Sequence, residues 1–314
     1  MCIAICTEGL TLVGSNTCLS ASEIRTTYQG SVSGYTSGGL APPIVNIIDK
    51  FPFASDANAT DVGDLTEARA FNTGQSSTVS GYTSGGKTFP PIVNIIDKFP
   101  FASNANATDV GDLTQGRFDS AGQSSYVSGY TSAGSQGGSP ATSNVIDKFP
   151  FATNANATDV GDATNQHYAS TGQSSSVSGY VTGGGSICFS KFPFSTDANA
   201  TNVGSLSQAR ESSAGQSSND FGYTSGGYSP WRNTIDKFPF ASDANATDVG
   251  DLTQARKRPA GQSSNTSGYT SGGDIPAPPF STNVIDKFPF ATNANATDVG
   301  DLTQARNGPA GQQN

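Results

Sequence analysis

The hydrophobic pattern of this chain consists of short apolar runs broken by glycine, serine and proline. It has no sustained helical period and no helix caps. The most β-branched run, Ile92-Val93-Asn94-Ile95-Ile96-Asp97-Lys98-Phe99, predicts a strand by propensity. Pro100 closes it, as expected at a strand end or a sheet edge. Upstream lies Ser-Gly-Tyr-Thr-Ser over 80–84, stopped by Gly85-Gly86. Before that comes a run of small residues from Gly74, suited to close backbone approach. After the turn Ser103-Asn104-Ala105-Asn106, a short fourth strand holds Thr108-Asp109-Val110. These four strands make one unit, and the unit repeats.

Lys-Phe-Pro-Phe occurs six times, with its first phenylalanine at Phe51, Phe99, Phe149, Phe192, Phe238 and Phe288. A Gly-Tyr pair keeps the same period, with Tyr35, Tyr82, Tyr130, Tyr180, Tyr223 and Tyr269. Four strands in each unit of roughly 40–50 residues is the signature of a propeller blade. The expected fold is therefore all-β, a single six-bladed β-propeller with four-stranded blades. Both chain ends carry a copy of the same phase: 19–34 resembles 65–81, and 302–314 repeats it. One copy can supply the first strand of the blade containing Tyr35, joining last blade to first and removing an open edge. The other is displaced. Residues 1–27 are thus expected to form a non-propeller N-terminal arm that docks on a neighbouring subunit. Residues 28–314 are expected to form the propeller, closed by overlapping terminal strands.

Tyr269 with Gly272-Gly273, then Asn283-Val284-Ile285-Asp286-Lys287-Phe288, then Asp298-Val299-Gly300-Asp301-Leu302 and Arg306, resemble kelch-type repeats, and the resemblance runs from Gly34 to the C-terminus. Val62, Val110, Val160, Val203, Val249 and Val299 fall in the region where kelch repeats usually carry tryptophan. The near-identical Asn-Ala-Thr-Asp-Val-Gly-Asp-Leu-Thr-Gln-Ala-Arg copies are also similar to kelch-like repeat proteins of marine bacteriophages. That resemblance implies a non-enzymatic structural or assembly module, located in a virion as a tail or fibre component. Its partners would be other virion or filament proteins in a homo- or hetero-oligomeric assembly. The alternative is an extracellular or cell-surface adhesion propeller that binds a host-surface glycan or a protein.

Composition narrows the classes further. Only 13% of the 314 residues are charged and the formal net charge is −9. With no Lys/Arg cluster, nucleic acid is excluded as a partner. No stretch of 18 apolar residues exists to span a membrane. The first residues lack the basic and long apolar regions of a signal peptide. Cys2, Cys6, Cys18 and Cys188 are too few for a disulfide scaffold and lack a Cys-x-x-Cys knuckle for zinc. His167, the single histidine, occupies the slot held elsewhere by Arg69, Arg117, Arg210, Arg256 and Arg306. It reads as a repeat substitution, and no catalytic residue is assigned. No set of unlike residues stands out as converging on one mouth of the ring.

The run Asp56-Ala57-Asn58-Ala59-Thr60-Asp61-Val62-Gly63-Asp64 is a candidate calcium loop, since calcium takes six to eight hard oxygens. The candidate ligands are Asp56, Asn58, Thr60 and Asp64, with Asp243, Asn245, Thr247 and Asp251 in the fifth copy. The alternative is an Asx-rich turn bonding its own backbone. No other cofactor is expected. The Asn-x-Thr triplets at Asn58, Asn106, Asn156, Asn199, Asn245 and Asn295 are glycosylation acceptors only on a eukaryotic-type secretory route. The Lys-Phe-Pro-Phe lysines could ring the channel and bind anions, or pair with acids of adjacent blades or following turns. The near one-to-one Asp/Lys pattern favours pairing. The loops after Gly-Gly vary, and they are expected to carry specificity. Within them, Tyr228, Trp231, Arg232 and Phe280 are the interface candidates.

Overall fold

The computed structural model describes residues 29–137, 142–164 and 168–314, and the backbone of three short N-terminal strands. Residues from 29 onward form six four-stranded antiparallel sheets arranged as a six-bladed β-propeller, with no helix among the described residues. In blade 2 the strands run from axis to rim as Thr73–Ser76, Ser80–Ser84, Ile95–Pro100 and Thr108–Asp112. Blades 3 to 6 repeat that order, beginning at Ala121, Ser170, Ala214 and Ala260. In blade 1 the innermost strand is the last of the chain. Ala310–Gln313 pairs antiparallel with Ser33–Ser37, followed outward by Ile47–Pro52 and Thr60–Asp64. The C-terminal copy of the repeated phase thus fills the first-strand position.

Ile5–Cys6, Leu10–Leu12 and Cys18–Ser20 pair with one another in an antiparallel meander separate from the six sheets. The rest of the expected arm, with His167, lies outside the described residues.

The axis is built for closeness. Each innermost strand carries a glycine: Gly74, Gly122, Gly172, Gly215, Gly261 or Gly311. A Cβ on Gly122 would lie 2.3 Å from the Gly74 carbonyl oxygen, and one on Gly172 would lie 2.0 Å from that of Gly122. The same contact continues around the ring, so no side chain fits there.

The next residue along each strand ties neighbours together. Gln75 Nε2 donates to Ser84 Oγ of its own blade (2.9 Å) and to the Tyr130 carbonyl (3.0 Å) and Thr131 Oγ1 (2.9 Å) of blade 3. Gln312 closes this belt onto Tyr82 and Thr83 of blade 2.

Farther out, each Lys-Phe-Pro-Phe motif packs on the blade before it. Phe99, Phe101 and Ala107 of blade 2 cluster with Tyr35, Ile48 and Leu65 of blade 1. Phe51 and Ala59 of blade 1 pack on Tyr269, Ile285 and Leu302 of blade 6. Each fully buried Phe contributes roughly 1.5–3 kcal/mol. The recurrence of the pair therefore reflects packing between blades.

Five seams also hold a buried ion pair. Arg69 meets Asp97 (3.2 Å), Arg117 meets Asp147 (2.7 Å), Arg256 meets Asp286 (2.5 Å), Arg306 meets Asp49 (3.1 Å), and Arg210 meets Asp236. All ten side chains are excluded from solvent. Burial pushes the arginine pKa values down, and the facing aspartates oppose that shift.

The seam between blades 3 and 4 departs from this rule. Ser190 stands where the other blades have Asp, Asn202 replaces the outer-strand Asp, and His167 replaces Arg. There Thr164 Oγ1 lies 2.5 Å from Ser190 Oγ and donates to Asn202 Oδ1 at 2.7 Å. Three ionic residues have been exchanged together for neutral or weakly basic ones.

Candidate functional site

The Gly-Gly loops and the linkers that cross from blade to blade share one end of the propeller. Backbone bridges join them, as at Ala70–Lys87, Phe118–Ser135, Glu211–Tyr228 and Lys257–Asp274. The tight turns after each innermost strand and the Asn-Ala-Asn loops lie at the other end. The first is called the loop end below, and the second the turn end.

At the loop end the repeat symmetry breaks on the axis itself. The three residues after each repeat Arg (or His167) read Ala70-Phe71-Asn72, Phe118-Asp119-Ser120, Tyr168-Ala169-Ser170, Glu211-Ser212-Ser213, Lys257-Arg258-Pro259 and Asn307-Gly308-Pro309. The middle residues Phe71, Asp119, Ala169, Ser212, Arg258 and Gly308 all have φ between 53° and 63°. Five of the six are not glycine, and each such residue costs roughly 1–2 kcal/mol in that region.

A chain of backbone hydrogen bonds across the mouth holds them there. Asp119 N–H donates to the Phe71 carbonyl, Phe71 N–H to Gly308, Gly308 N–H to Arg258, Arg258 N–H to Ser212, and Ser212 N–H to Ala169, at 2.6–2.9 Å. Six unlike residues, five of them with side chains, are thereby presented around one opening.

Three of them meet across the axis. The Arg258 guanidinium lies 4.6 Å from the Phe71 ring centroid, and its Nη2 is 3.4 Å from Asp119 Oδ2. Gly308 leaves the room for this, since a Cβ there would lie 2.3 Å from Phe71 Cδ1. Burial pushes the Asp119 carboxyl pKa up, with Arg258 opposing. Beneath lies a cavity of about 120 Å³ with polar residues such as Thr73, Ser120, Thr171 and Ser213 in its wall. The glycine ring separates it from a smaller one of about 60 Å³ at the turn end.

Two cation–aromatic groups flank the mouth from opposite blades. On blade 2, Lys87 Nζ is 4.9 Å from the Phe89 ring and 5.3 Å from Phe118. Near blade 5, Lys257 Nζ is 4.8 Å from Tyr228 and 5.0 Å from Trp231, whose rings meet edge-on at 5.5 Å. Such stacking contributes roughly 0.5–1 kcal/mol at exposed sites. Of the 16 Lys and Arg residues, five are the buried seam arginines and six the Lys-Phe-Pro-Phe lysines. Apart from Arg25 in the arm, the remaining four are Lys87, Arg232, Lys257 and Arg258, all at the loop end.

Of the residues expected to form an interface, Tyr228 and Trp231 are brought together, with Lys257 as an unforeseen third member. Arg232 is half-buried, and its backbone N–H donates to the Gly227 carbonyl at 3.0 Å. Phe280 stands apart on the blade 6 loop, 60% exposed. The axial set Phe71, Asp119 and Arg258 was missed. Its signal was present in the sequence as the one stretch of the linker that never repeats.

The candidate calcium loops bind their neighbours. Asp56 Oδ1 accepts from Lys287 Nζ at 3.0 Å, and Asp243 Oδ1 from Lys191 Nζ at 3.0 Å. Asn58 Oδ1 accepts from the Asp301 N–H of blade 6, and Asn245 Oδ1 from the Ser205 N–H of blade 4. Thr60 and Thr247 open the outer strands opposite Lys50 and Lys237. Asp64 and Asp251 end those strands, with their N–H groups on Asn106 and Asn295 of the following blades. The Asp56 and Asn58 side-chain oxygens are thus used by the preceding blade, while the Asp64 N–H is held by the following one. Among the described residues no three His, Cys, Asp or Glu side chains gather as a metal site. Lys148, Lys191 and Lys287 pair with Asp197, Asp243 and Asp56 of the next blade at 2.8–3.0 Å, and Lys98 and Lys237 donate to Asn154 and Asn293 there.

No protein-family model matches the chain, and no curated protein matches it in sequence. Among solved structures, one titled "Structure of YjhT" superposes with a TM-score of 0.64 at 13% identity. The match covers 78% of this chain and 88% of that one. At that identity the likeness speaks for the fold alone.

Proposed function

We propose that this six-bladed propeller is a non-enzymatic structural and assembly module that attaches to its partners through the loop end. The observation that carries this reading is the contrast between a nearly uniform ring and one end where the copies differ. Packing accounts for the repeated Phe, Tyr, Gln, Arg and Asp positions. It does not account for stacked Lys87, Lys257 and Arg258, or for exposed Phe89, Tyr228 and Phe280. Aromatic and arginine side chains at such an end are the usual anchors of protein interfaces. The resemblance of the units to kelch-type repeats, and to those of marine bacteriophages, supports a virion tail or fibre component. Recovery of the protein in fixed stoichiometry with a virion or filament is the expected result. A free monomer that joins no particle would overturn the reading.

A second reading is an adhesion propeller that holds a glycan or protein at the axial mouth. It is favoured by Phe71, Asp119 and Arg258, which offer an apolar face, an acceptor and a donor over one cavity. Binding on a glycan array by the isolated protein, lost in Arg258→Ala, would favour this alternative.

A further inference from the structure

The axial mouth at the loop end holds polar groups whose hydrogen-bonding capacity the protein leaves unused. The Asp119 side chain is only 10% exposed, yet among the described residues its carboxylate has one partner, Arg258 Nη2 at 3.4 Å. Arg258 Nε is buried and has no acceptor among those residues. The guanidinium is braced over the opening because it rests on the Phe71 ring. Asn72, Ser170 and Ser213 line the same cavity and are more than nine-tenths buried. They too hold side-chain polar atoms without a protein partner. Buried polar groups of this kind call for water or for a hydroxylated guest.

Backbone geometry favours the guest. Asp119 and Arg258 hold φ at 54° and 55°, where glycine sits without the Cβ penalty, as Gly308 does in the same ring. The turn itself asks for neither a carboxylate nor a guanidinium. Strain kept around charged groups at a cavity points to binding. The chemistry of the guest follows from these groups. Ionised Asp119 can only accept and Arg258 can only donate, so the guest must offer a donor and an acceptor close together. Adjacent hydroxyls do so. The two charges offset each other, and Glu211 and Lys87 act on Asp119 in opposite senses, so neither an anion nor a cation is preferred. The cavity of about 120 Å³ approaches the roughly 150 Å³ of one that takes benzene, which is room for a single six-membered ring. The glycine ring closes the axis beneath it, so no chain can thread through. Only a terminal unit can enter.

We propose that the axial mouth binds the terminal unit of a neutral sugar, with two adjacent hydroxyls held between Asp119 and Arg258. This rests on the adhesion reading given above and gives it a ligand class. It is tested on the full chain by saturation-transfer NMR with free galactose, mannose, glucose and fucose at millimolar concentration, beside glucuronate, glucosamine and acetamide. Transfer to at least one neutral sugar, and to none of the other three probes, is expected. Asp119→Gly and Arg258→Gly should each weaken that binding on the order of tenfold or more, since each removes a charge-assisted hydrogen bond. Both should keep or exceed the parent's melting temperature, because glycine already holds this place at Gly308. No transfer to any neutral sugar would overturn the proposal and leave the cavity to water. So would equal transfer in both variants, or transfer confined to the charged sugars or to acetamide. If the free sugars fail while a glycan array or a protein partner still binds in a way that Arg258→Ala abolishes, the adhesion reading stands and the sugar site alone falls.

Discussion

The seam between blades 3 and 4 offers a built-in control for the energetics of the other five. In the seam between blades 5 and 6, Asp286 accepts from Thr253 N–H (2.9 Å), Thr253 Oγ1 (2.7 Å) and Arg256 Nη2 (2.5 Å), with no solvent contact. Arg256 Nη1 adds hydrogen bonds to the Val284 carbonyl at 2.9 Å and the Gly272 carbonyl at 3.2 Å. Asp286→Ser keeps a hydroxyl near Thr253 but leaves a buried guanidinium without its counter-charge. Removing one partner of such a pair costs about 3–5 kcal/mol. Adding Arg256→His and Asp298→Asn rebuilds the His/Ser/Asn set that the chain already uses at 167, 190 and 202. At pH 7, where an ordinary imidazole is mostly neutral, the triple variant should regain more than half of the loss. Urea unfolding of the parent, the single and the triple variant measures both quantities. A cost below about 1 kcal/mol for Asp286→Ser would refute the idea that these seams depend on charge pairing. A triple variant no more stable than the single one would refute the idea that the three exchanges are coupled.

Three shorter expectations follow from the same contacts. Gly172→Ala places a methyl 2.0 Å from the Gly122 carbonyl oxygen, so it should cost about 3 kcal/mol or prevent folding, and an unchanged melting curve would contradict the closed axis. Because neighbouring blades already use Asp56, Asn58, Asp243 and Asn245, EDTA should move the melting temperature by less than about 1 °C. A bound ion at 100 times its Kd would add about 2.7 kcal/mol and shift it visibly. Burial pushes Tyr35 and Tyr223 up to about 12. Below pH 10 both folded and unfolded states keep the phenolic proton. Above it only the unfolded state releases the proton, so stability should fall by roughly 1.4 kcal/mol per pH unit per tyrosine. A flat stability profile from pH 9 to 11.5 would contradict that burial.

Most of the architecture was legible because each blade repeats the same physical problem. Phe99 recurs because it packs on the preceding blade, and Gly122 recurs because no side chain fits at the axis, so packing writes itself into the period. The Asn-Ala-Thr run was harder to read. Asp56 and Asn58 have the spacing of an ion loop, yet their oxygens are used by Lys287 and the Asp301 N–H of blade 6, contacts that no local pattern contains. The axial mouth was hidden for the opposite reason. Phe71, Asp119 and Arg258 are 48 and 139 residues apart in sequence order and share no motif. Only the ring brings the three together.

The most direct measurement is oxidative footprinting of the protein free and in a particle or filament with which it co-purifies, the assembly that the proposed function requires. If the loop end is the attachment surface, Tyr228, Trp231 and Phe280 become protected in the assembly while Tyr126 at the turn end does not change. Loop-end aromatics that stay as reactive in the assembly as in the free protein, with protection confined to the turn end, would contradict it.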